Sequence, residues 1–400
     1  MIKRPNLTNY TDERIIEVIF LLFGIGVMAW VPRLPEVEDN LGLNNGQFGT
    51  IISTGGIGAL VSLLTMGHVV HHIGAGKVIR LGFTLLALVF ASIPHLTNPF
   101  LFLIINMLAG FAISTVHLSV NAQAFADQET LGRPIISKMH GMWAVGALVT
   151  AIFSSLLIGR ISLAAHLGFL ELFIWALALF LLQLRNETLL KPKAHKDSSF
   201  SITGIFSTFR IDYVVSAGLL CGVFIEFTIG DWASIFARDS IGIKSGLNAL
   251  PYIIYTLTMI IGRLNANKIQ RKFTVERSVK LFGILGGVGF ATGIILSRIF
   301  VSENQNLAFI FALLGFAVGG FGASIMGPTF TNAAIERSNQ PSSVVVGQIG
   351  VVNNISIWIL KTIVAWTAQL TSLYTALLFP ALMLTLIGIF AGATKQVQSK

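Results

Sequence analysis

The sequence predicts an all-α membrane protein: twelve transmembrane helices in two pseudo-symmetric six-helix bundles, with both termini in the cytoplasm. Only 11% of the 400 residues are charged, against about 25% in ordinary soluble domains. The chain is 54% apolar, with 30 phenylalanines, and so lacks the polar surface that covers a water-exposed globule. Apolar windows recur along the whole chain, and the basic residues fall between them.

A helix needs about 20 mostly apolar residues to cross a bilayer, and twelve windows of the sequence meet this requirement. The first six lie at 15–33, 46–70, 77–96, 99–125, 139–159 and 164–184, and the second six lie at 212–235, 247–266, 277–300, 306–334, 343–367 and 372–394. The first window is longer than a signal-peptide core, and no small-residue cleavage site follows it. We therefore expect it to remain in the protein as a span.

A polar stretch at 185–211 separates the two sets of windows, and we interpret it as a cytoplasmic linker. It divides the chain into an N-terminal bundle at 1–184 and a C-terminal bundle at 212–400. If the N-terminus is cytoplasmic, 21 of the 27 Lys and Arg residues fall in internal segments and 5 in external loops. Because basic residues concentrate on the cytoplasmic side of membrane proteins, both termini are predicted to lie inside.

Two related motifs lie about half a chain apart, at the ends of the second and eighth windows. On these residues the chain resembles the major facilitator superfamily, whose cytoplasmic loops carry G-x-L-x-D-R-x-G or G-R-L-x-x-D-R turns. Gly67, Gly74, Gly262 and Arg263 match, and the resemblance implies that they form cytoplasmic gating loops. His71 and Asn267 stand at the acidic positions of the two motifs.

Four further segments resemble a bacterial branch of that superfamily, which includes rhizopine permease-like proteins and is distantly similar to fucose-proton symporters. The segments are Trp30 to Pro35, Asn121 to Gln123 with Leu131 to Pro134, His140 to Gly146, and Glu226 with Asp231 to Ala233. The resemblance implies a transporter in the bacterial inner membrane. The eleventh window departs from the branch, because it carries Asn353, Asn354, Trp358 and Lys361 where a Gly-Pro pair is usual.

Among the charged residues inside apolar windows three stand out, because a charge at the centre of a helix costs about 2.5 to 3.5 kcal/mol. Glu226 and Asp231 belong to the seventh window and Lys361 to the eleventh. We expect them to point inward, either as a structural ion pair or as a proton-coupling centre. Glu226 is the predicted proton carrier, with Lys361 as its partner. Asp231 is predicted to pair with Arg33 as an external gate.

A polar stripe follows the fourth window, where Ser114, His117 and Asn121 recur at helical spacing. Such a stripe either lines a solute cavity or bonds to neighbouring helices, and the middle of this fold is where solutes bind. Further candidates for the cavity are Trp143, Trp232, Asn353 and Asn354. The tryptophans are alternatively interfacial anchors or packing residues.

Other motifs give no sign of metal or nucleotide chemistry. His68, His71 and His72 have helical spacing, but no neighbouring Cys, Asp or Glu completes a metal site. Glu171 is interpreted as structural. No G-x-x-x-x-G-K-[ST] loop and no H-E-x-x-H motif occur. We therefore expect no enzymatic activity, no cofactor, no metal and no nucleic-acid partner.

The favoured hypothesis is a monomeric secondary transporter that moves a small polar organic solute by alternating access and is coupled to protons. One alternative is a membrane sensor with the same fold that binds a ligand without transporting it. Another is an exporter of a larger amphipathic compound such as a drug or siderophore. The sequence does not distinguish import from export.

Overall fold

A computed structural model describes residues 7–133, 135–185, 189, 212–243, 246–339 and 342–395. In this part of the chain the regular structure is helical throughout, with short 3-10 turns between some helices. The α-helices are α1 (Leu7–Met28), α2 (Leu34–Leu41), α3 (Asn45–Ser53), α4 (Gly55–Ile73), α5 (Ala75–Ser92), α6 (Pro99–Leu131), α7 (Ile136–Leu157), α8 (Leu163–Leu184), α9 (Tyr213–Asp239), α10 (Leu250–Lys272), α11 (Val275–Phe300), α12 (Gln305–Ala323), α13 (Met326–Glu336), α14 (Ser342–Leu370) and α15 (Leu373–Leu386).

Eleven helical segments among the described residues are long and apolar enough to cross a membrane. Each coincides with one of the first eleven predicted windows. The twelfth window corresponds to the shorter apolar segment Leu373–Ile389, which contains Pro380. The all-helical membrane architecture is therefore confirmed, whereas the count of twelve crossing helices and the cytoplasmic termini stay predictions.

The chain folds as two compact units, and the division differs from the predicted one at one segment. The first unit comprises Met1–Trp30 and Thr54–Ile202, and the second comprises Val31–Ser53 and Thr203–Lys400. The segment Val31–Ser53, which carries α2 and α3, thus packs with the C-terminal half of the chain although the sequence assigned it to the N-terminal bundle. Most of the predicted linker at 185–211 lies outside the described residues.

Glycines let helices approach closely within the second unit. A Cβ on Gly286 of α11 would lie 2.7 Å from the Cα of Gly322 on α12, and one on Gly315 would lie 3.0 Å from the Cα of Gly293. Neither position has room for a larger residue unless the backbones separate. Small residues that allow such close backbone contact are typical of helix pairs in membranes.

Ion pairs tie together one end of the first unit. Gly132 ends α6 with a left-handed φ of 64°, and Arg133, which follows it, pairs with the buried Glu13 of α1. Arg185 at the end of α8 donates two hydrogen bonds, of 2.5 and 2.7 Å, to the carboxylate of Asp127 on α6. Because Arg185 is only 3% exposed, this pairing satisfies a charge that is costly to bury alone.

Asp212 performs two tasks at the start of α9. Its carboxylate accepts a hydrogen bond from the backbone N–H of Val215 and pairs with Arg337 at 2.7 Å. Partial burial disfavours the ionised form, but the hydrogen bonds from Arg337 and from the backbone outweigh it, and the pKa of Asp212 lies below its ordinary value. The residue both caps the helix and joins α9 to the residue that follows α13.

The lowered pKa of Asp212 predicts a contribution to stability that depends on pH. A carboxylate with a folded pKa below its unfolded value of about 3.9 stabilises the fold above that value, and the stabilisation is lost as pH falls through the folded pKa. The wild type should therefore be more stable than Asp212→Asn at pH 6, and the difference should shrink by pH 3. Unfolding in detergent at the two pH values checks this. Asn keeps the helix cap, and a difference that does not change with pH would contradict the prediction.

Candidate functional site

The candidate site lies on α9, a 27-residue helix with charged residues inside an apolar sequence. At 1.5 Å per residue α9 is about 40 Å long, and Glu226 lies near its middle. Asp231 is five residues further on, about 140° around the helix. The two carboxylates therefore face different neighbours, and the structure gives each a different cationic partner.

Asp231 pairs with Lys361 of α14, with 2.7 Å between Oδ2 and Nζ. Both side chains are largely buried, at 15% and 14% exposure. Tyr374, at the start of α15, donates a hydrogen bond to the Ser240 carbonyl directly after α9, so α9 and α14 end on the same side. Asp231 and Lys361 lie at similar distances from these two ends, which is why they meet.

Glu226 pairs with Arg263 of α10, with 3.1 Å between Oε2 and Nη2. Each side chain is about one-third exposed, at 33% and 34%, so water reaches this pair more easily than the other. The predicted pairing of Glu226 with Lys361 is wrong, because Lys361 lies level with Asp231, about 7.5 Å further along α9. Arg263 also donates a hydrogen bond to the Ser324 carbonyl at 3.3 Å.

The placement of Arg263 corrects the motif-based expectation of two gating loops. Arg263 and Gly262 lie within α10, and Gly67 lies within α4. A Cβ on Gly262 would come 2.6 Å from the Cβ of Ser324, so this glycine serves helix packing. Of these four residues only Gly74 lies in a turn. It is the single residue between α4 and α5, and its φ is 86°. Arg263 falls inside the apolar window 247–266, and that position in the sequence indicates an intramembrane charge.

Two tyrosines of α10 accompany the Glu226–Arg263 pair. Tyr252 and Tyr255 are 7% and 1% exposed and lie within electrostatic reach of Glu226. The hydroxyl of Tyr255 has no hydrogen-bond partner among the described residues. Sequence analysis did not single out these tyrosines, since an isolated tyrosine in an apolar window gives no distinguishing signal.

The segment Val31–Ser53 is held to α9 by a group that we call the Arg238 cluster, formed by Arg238, Glu38 and Asp39. Arg238 donates hydrogen bonds to Glu38 at 2.6 Å, to Asp39 at 2.9 Å and to the Pro35 carbonyl at 2.8 Å. The sequence assigned this connection to Arg33 and Asp231. That assignment is wrong in the structure, because Arg33 binds Glu36 through two 2.7 Å contacts and Asp231 binds Lys361.

The same segment covers Trp232. The Trp232 side chain is 1% exposed, and a Cβ on Gly49 would lie 2.6 Å from its ring. The indole therefore has no face open to a solute in this structure. Nearby, Trp366 of α14 donates a hydrogen bond to the hydroxyl of Thr50 at 3.0 Å.

Two asparagines extend the polar face of α14 away from Lys361. Asn354 lies seven residues before Lys361, so the two share a face within about 20°, and its amide donates to the Gly350 carbonyl at 2.8 Å. Asn353 is 6% exposed, and neither polar atom of its amide has a hydrogen-bond partner in the described part of the chain. Such an orphaned amide is costly and can bind a ligand or water.

In the first unit the predicted stripe on α6 meets aromatic residues. The His117 ring lies 6.3 Å from Phe23 of α1 and 5.9 Å from His140 of α7, measured between centroids. The Asn121 amide donates to the His117 carbonyl at 2.7 Å, and Ser114 is buried. His140 is thus a neighbour that the sequence alone did not identify as part of this group.

Trp143 lies on α7, one turn after His140, and its indole nitrogen is buried without a partner among the described residues. The stripe residues and Trp143 therefore belong to helices of one unit. Their role in lining a solute cavity stays a prediction.

The three histidines at the end of α4 pack against one another. The His68 and His72 rings lie 4.0 Å apart and the His71 and His72 rings 5.6 Å apart, between centroids. Within the described ranges no group of three His, Cys, Asp or Glu side chains has a geometry that would hold a metal ion.

Comparison with known proteins identifies the family. The family model described as Major Facilitator Superfamily matches residues 17–360. An uncharacterised MFS-type transporter of Yersinia pestis is 27% identical over 98% of this chain and 97% of its own length. The membrane protein MosC of Rhizobium meliloti is 22% identical over 90% of this chain and 84% of its own.

Solved structures share the fold at low sequence identity. The nucleoside transporter NupG is similar with a TM-score of 0.70 and 14% identity, covering 99% of this chain and all of the other. A D-xylose-proton symporter is similar with a TM-score of 0.68 and 16% identity, covering 97% and 99%. The chain thus belongs to the Major Facilitator Superfamily and is a multi-pass membrane transporter rather than an enzyme.

Proposed function

We propose that the protein is a secondary active transporter that moves a small polar organic solute by alternating access and is coupled to protons. The observation that carries the proposal is the Glu226–Arg263 pair, a partly accessible acid in the middle of the apolar helix α9 that is held by a cation of α10. Charged residues at such depth are expensive and typically mark proton or substrate pathways. Glu226 is the proposed proton carrier, with Arg263 rather than Lys361 as its cationic partner.

The second unit also supplies neutral hydrogen-bonding groups. The Tyr255 hydroxyl and the Asn353 amide are buried and unpartnered among the described residues, and each is suited to a polar solute. The names of two structural neighbours, a nucleoside transporter and a D-xylose-proton symporter, support a polar organic solute and proton coupling. Ser114, His117, Asn121 and Trp143 are proposed to contribute from the first unit.

The bacterial relatives and the charge distribution support an inner-membrane location with both termini in the cytoplasm. In this orientation the Arg238 cluster lies on the external side of the second unit. The twelfth crossing is proposed to be Leu373–Ile389, whose 17 residues extend about 26 Å. That length is at the lower limit for a transmembrane helix.

A thermal-shift screen of the purified protein against sugars, polyols, nucleosides, amino acids and organic acids tests the proposal. A specific ligand raises the unfolding temperature, because it stabilises the folded state by RT ln(1 + [L]/Kd). The ligand should then exchange label across proteoliposome membranes. A ligand that binds but never exchanges would support the sensor alternative and contradict transport.

We also propose that the segment Val31–Ser53 changes its packing during alternating access, because it packs with the second unit but is joined to the first unit at both of its ends. We therefore expect that joining Thr50→Cys to Trp366→Cys with a short reducible thiol cross-linker stops transport. These positions are hydrogen-bonded in the structure. Cys221 is replaced by Ser in the background, and counterflow of the screened ligand is the measurement.

The control is the Trp366→Cys variant alone, treated with the same reagent. Binding of the ligand in the thermal-shift assay should persist in the cross-linked protein, and reduction of the cross-linker should restore counterflow. Full counterflow in a completely cross-linked protein would contradict the requirement for movement.

A further inference from the structure

Glu171 of α8 is a buried acid that the mechanism above does not use. It is 2% exposed, and its Oε1 has no hydrogen-bond partner among the described residues. The three other acids that are buried in the described part of the chain, Glu13, Glu38 and Asp127, each pair with Arg or Lys. Glu171 therefore differs from them in having no cation, among the residues that the structure describes, to balance an ionised carboxylate.

The protonation state of Glu171 follows from this isolation. Burying an ionised carboxylate without a partner costs far more than burying a neutral polar group, so such a group takes up a proton instead. Among the described side chains of α1, α5 and α8, no charged group lies within electrostatic reach of its carboxyl. The titratable groups on or beside these helices lie elsewhere along them: Asp12, Glu13, Arg14, Glu17, Lys77, Arg80, His95, His166 and Arg185.

The end of α1 covers the Glu171 carboxyl. A Cβ on Gly26 would lie 3.2 Å from Oε1 and 3.4 Å from Oε2, so glycine allows α1 to approach this side chain closely. Gly26 lies two residues before the end of α1, and from Val31 the chain belongs to the second unit. A change in the packing of the segment Val31–Ser53 therefore acts on the part of α1 that covers Glu171.

We infer that Glu171 is a second proton-binding site of the transporter, which holds its proton while α1 covers it and exchanges it when the end of α1 moves away from α8. This inference rests on the proposed function, because it assigns proton binding to the alternating motion. It separates two proton sites, one on α9 in the second unit and one on α8 in the first.

Infrared spectroscopy of the full chain in detergent tests the inference with the proton itself as the ligand. A protonated carboxyl has a C=O stretching band that an ionised carboxylate lacks. At pH 7 we expect the wild type to show such a band and Glu171→Gln to lose it. Glu303→Gln, which removes an exposed acid, should leave it unchanged. A Glu171→Gln spectrum identical to that of the wild type would overturn the inference.

A second variant assigns the band if Glu171→Gln folds poorly. Gly26→Ala keeps the carboxyl and places a methyl group against it, so it should shift the band in frequency. If neither variant alters the band, the signal does not come from Glu171 and the inference is wrong.

Hydrogen–deuterium exchange distinguishes a working proton site from a static buried acid. After transfer to heavy water, the band should shift more slowly in the protein cross-linked between Thr50→Cys and Trp366→Cys than in the same protein after reduction. Equal rates would mean that exchange is independent of the movement, and would overturn the inference. These measurements need no solute, so their failure is distinct from a failure of the wild type to transport, which would contradict the proposed function.

Discussion

Glu226→Gln is expected to abolish proton-driven accumulation of the solute while counterflow of labelled solute continues. Gln keeps the shape of the side chain and can still hydrogen-bond to Arg263, but it cannot load or release a proton. Exchange of solute for solute needs no net proton movement, so the variant should retain it. Accumulation ratios in proteoliposomes with an imposed pH gradient, measured with a ligand from the thermal-shift screen, give the answer. The expected ratio is that of the wild type without a gradient.

Glu303→Gln is the matched control, because it removes one carboxylate from an exposed position. It should accumulate solute like the wild type. Arg263→Gln separates coupling from packing, since it removes the cation and leaves the proton carrier in place. A well-folded Glu226→Gln protein whose accumulation still follows the pH gradient would contradict the assignment of Glu226 as proton carrier.

Lys361→Met is expected to lower the free energy of unfolding by about 3 to 5 kcal/mol, the usual cost of removing one partner from a buried ion pair. The reason is that Asp231, 15% exposed and 2.7 Å from the lysine nitrogen, loses its only cationic partner among the described residues. Denaturant unfolding in mixed micelles measures the loss. Expression and monodispersity should fall with it, because the loss is a large fraction of typical protein stability.

The double variant Asp231→Asn with Lys361→Met should recover most of that loss. Replacing both members of a buried pair by neutral groups is often close to neutral in stability, because no uncompensated charge remains. A double variant as unstable as Lys361→Met alone would show that the destabilisation comes from lost packing rather than from the unpaired carboxylate. That result would contradict the electrostatic explanation for the stability that the Asp231–Lys361 pair provides.

Several features of the protein follow from its sequence because they depend on local composition. The apolar windows alone determine that the chain is helical and enters a membrane, since backbone groups in lipid must bond within each segment. The depth of Glu226, Asp231 and Lys361 in the membrane also follows from the position of each residue within its apolar window. The same rule applied to Arg263 would have identified it as an intramembrane charge, had the motif match not assigned it to a loop.

The partners of those charges were decided only by the tertiary structure. Which acid meets Lys361 depends on the register and rotation of α9 relative to α14, and the sequence of either helix contains neither quantity. Likewise, the packing of Val31–Ser53 with the second unit results from the fit of Gly49 under Trp232 and from the bonds of Arg238. The sequence analysis assigned that segment to the bundle of α1 because it follows α1 in the chain. Burial of side chains and pairing of charges, however, depend on distance in space rather than on distance along the chain.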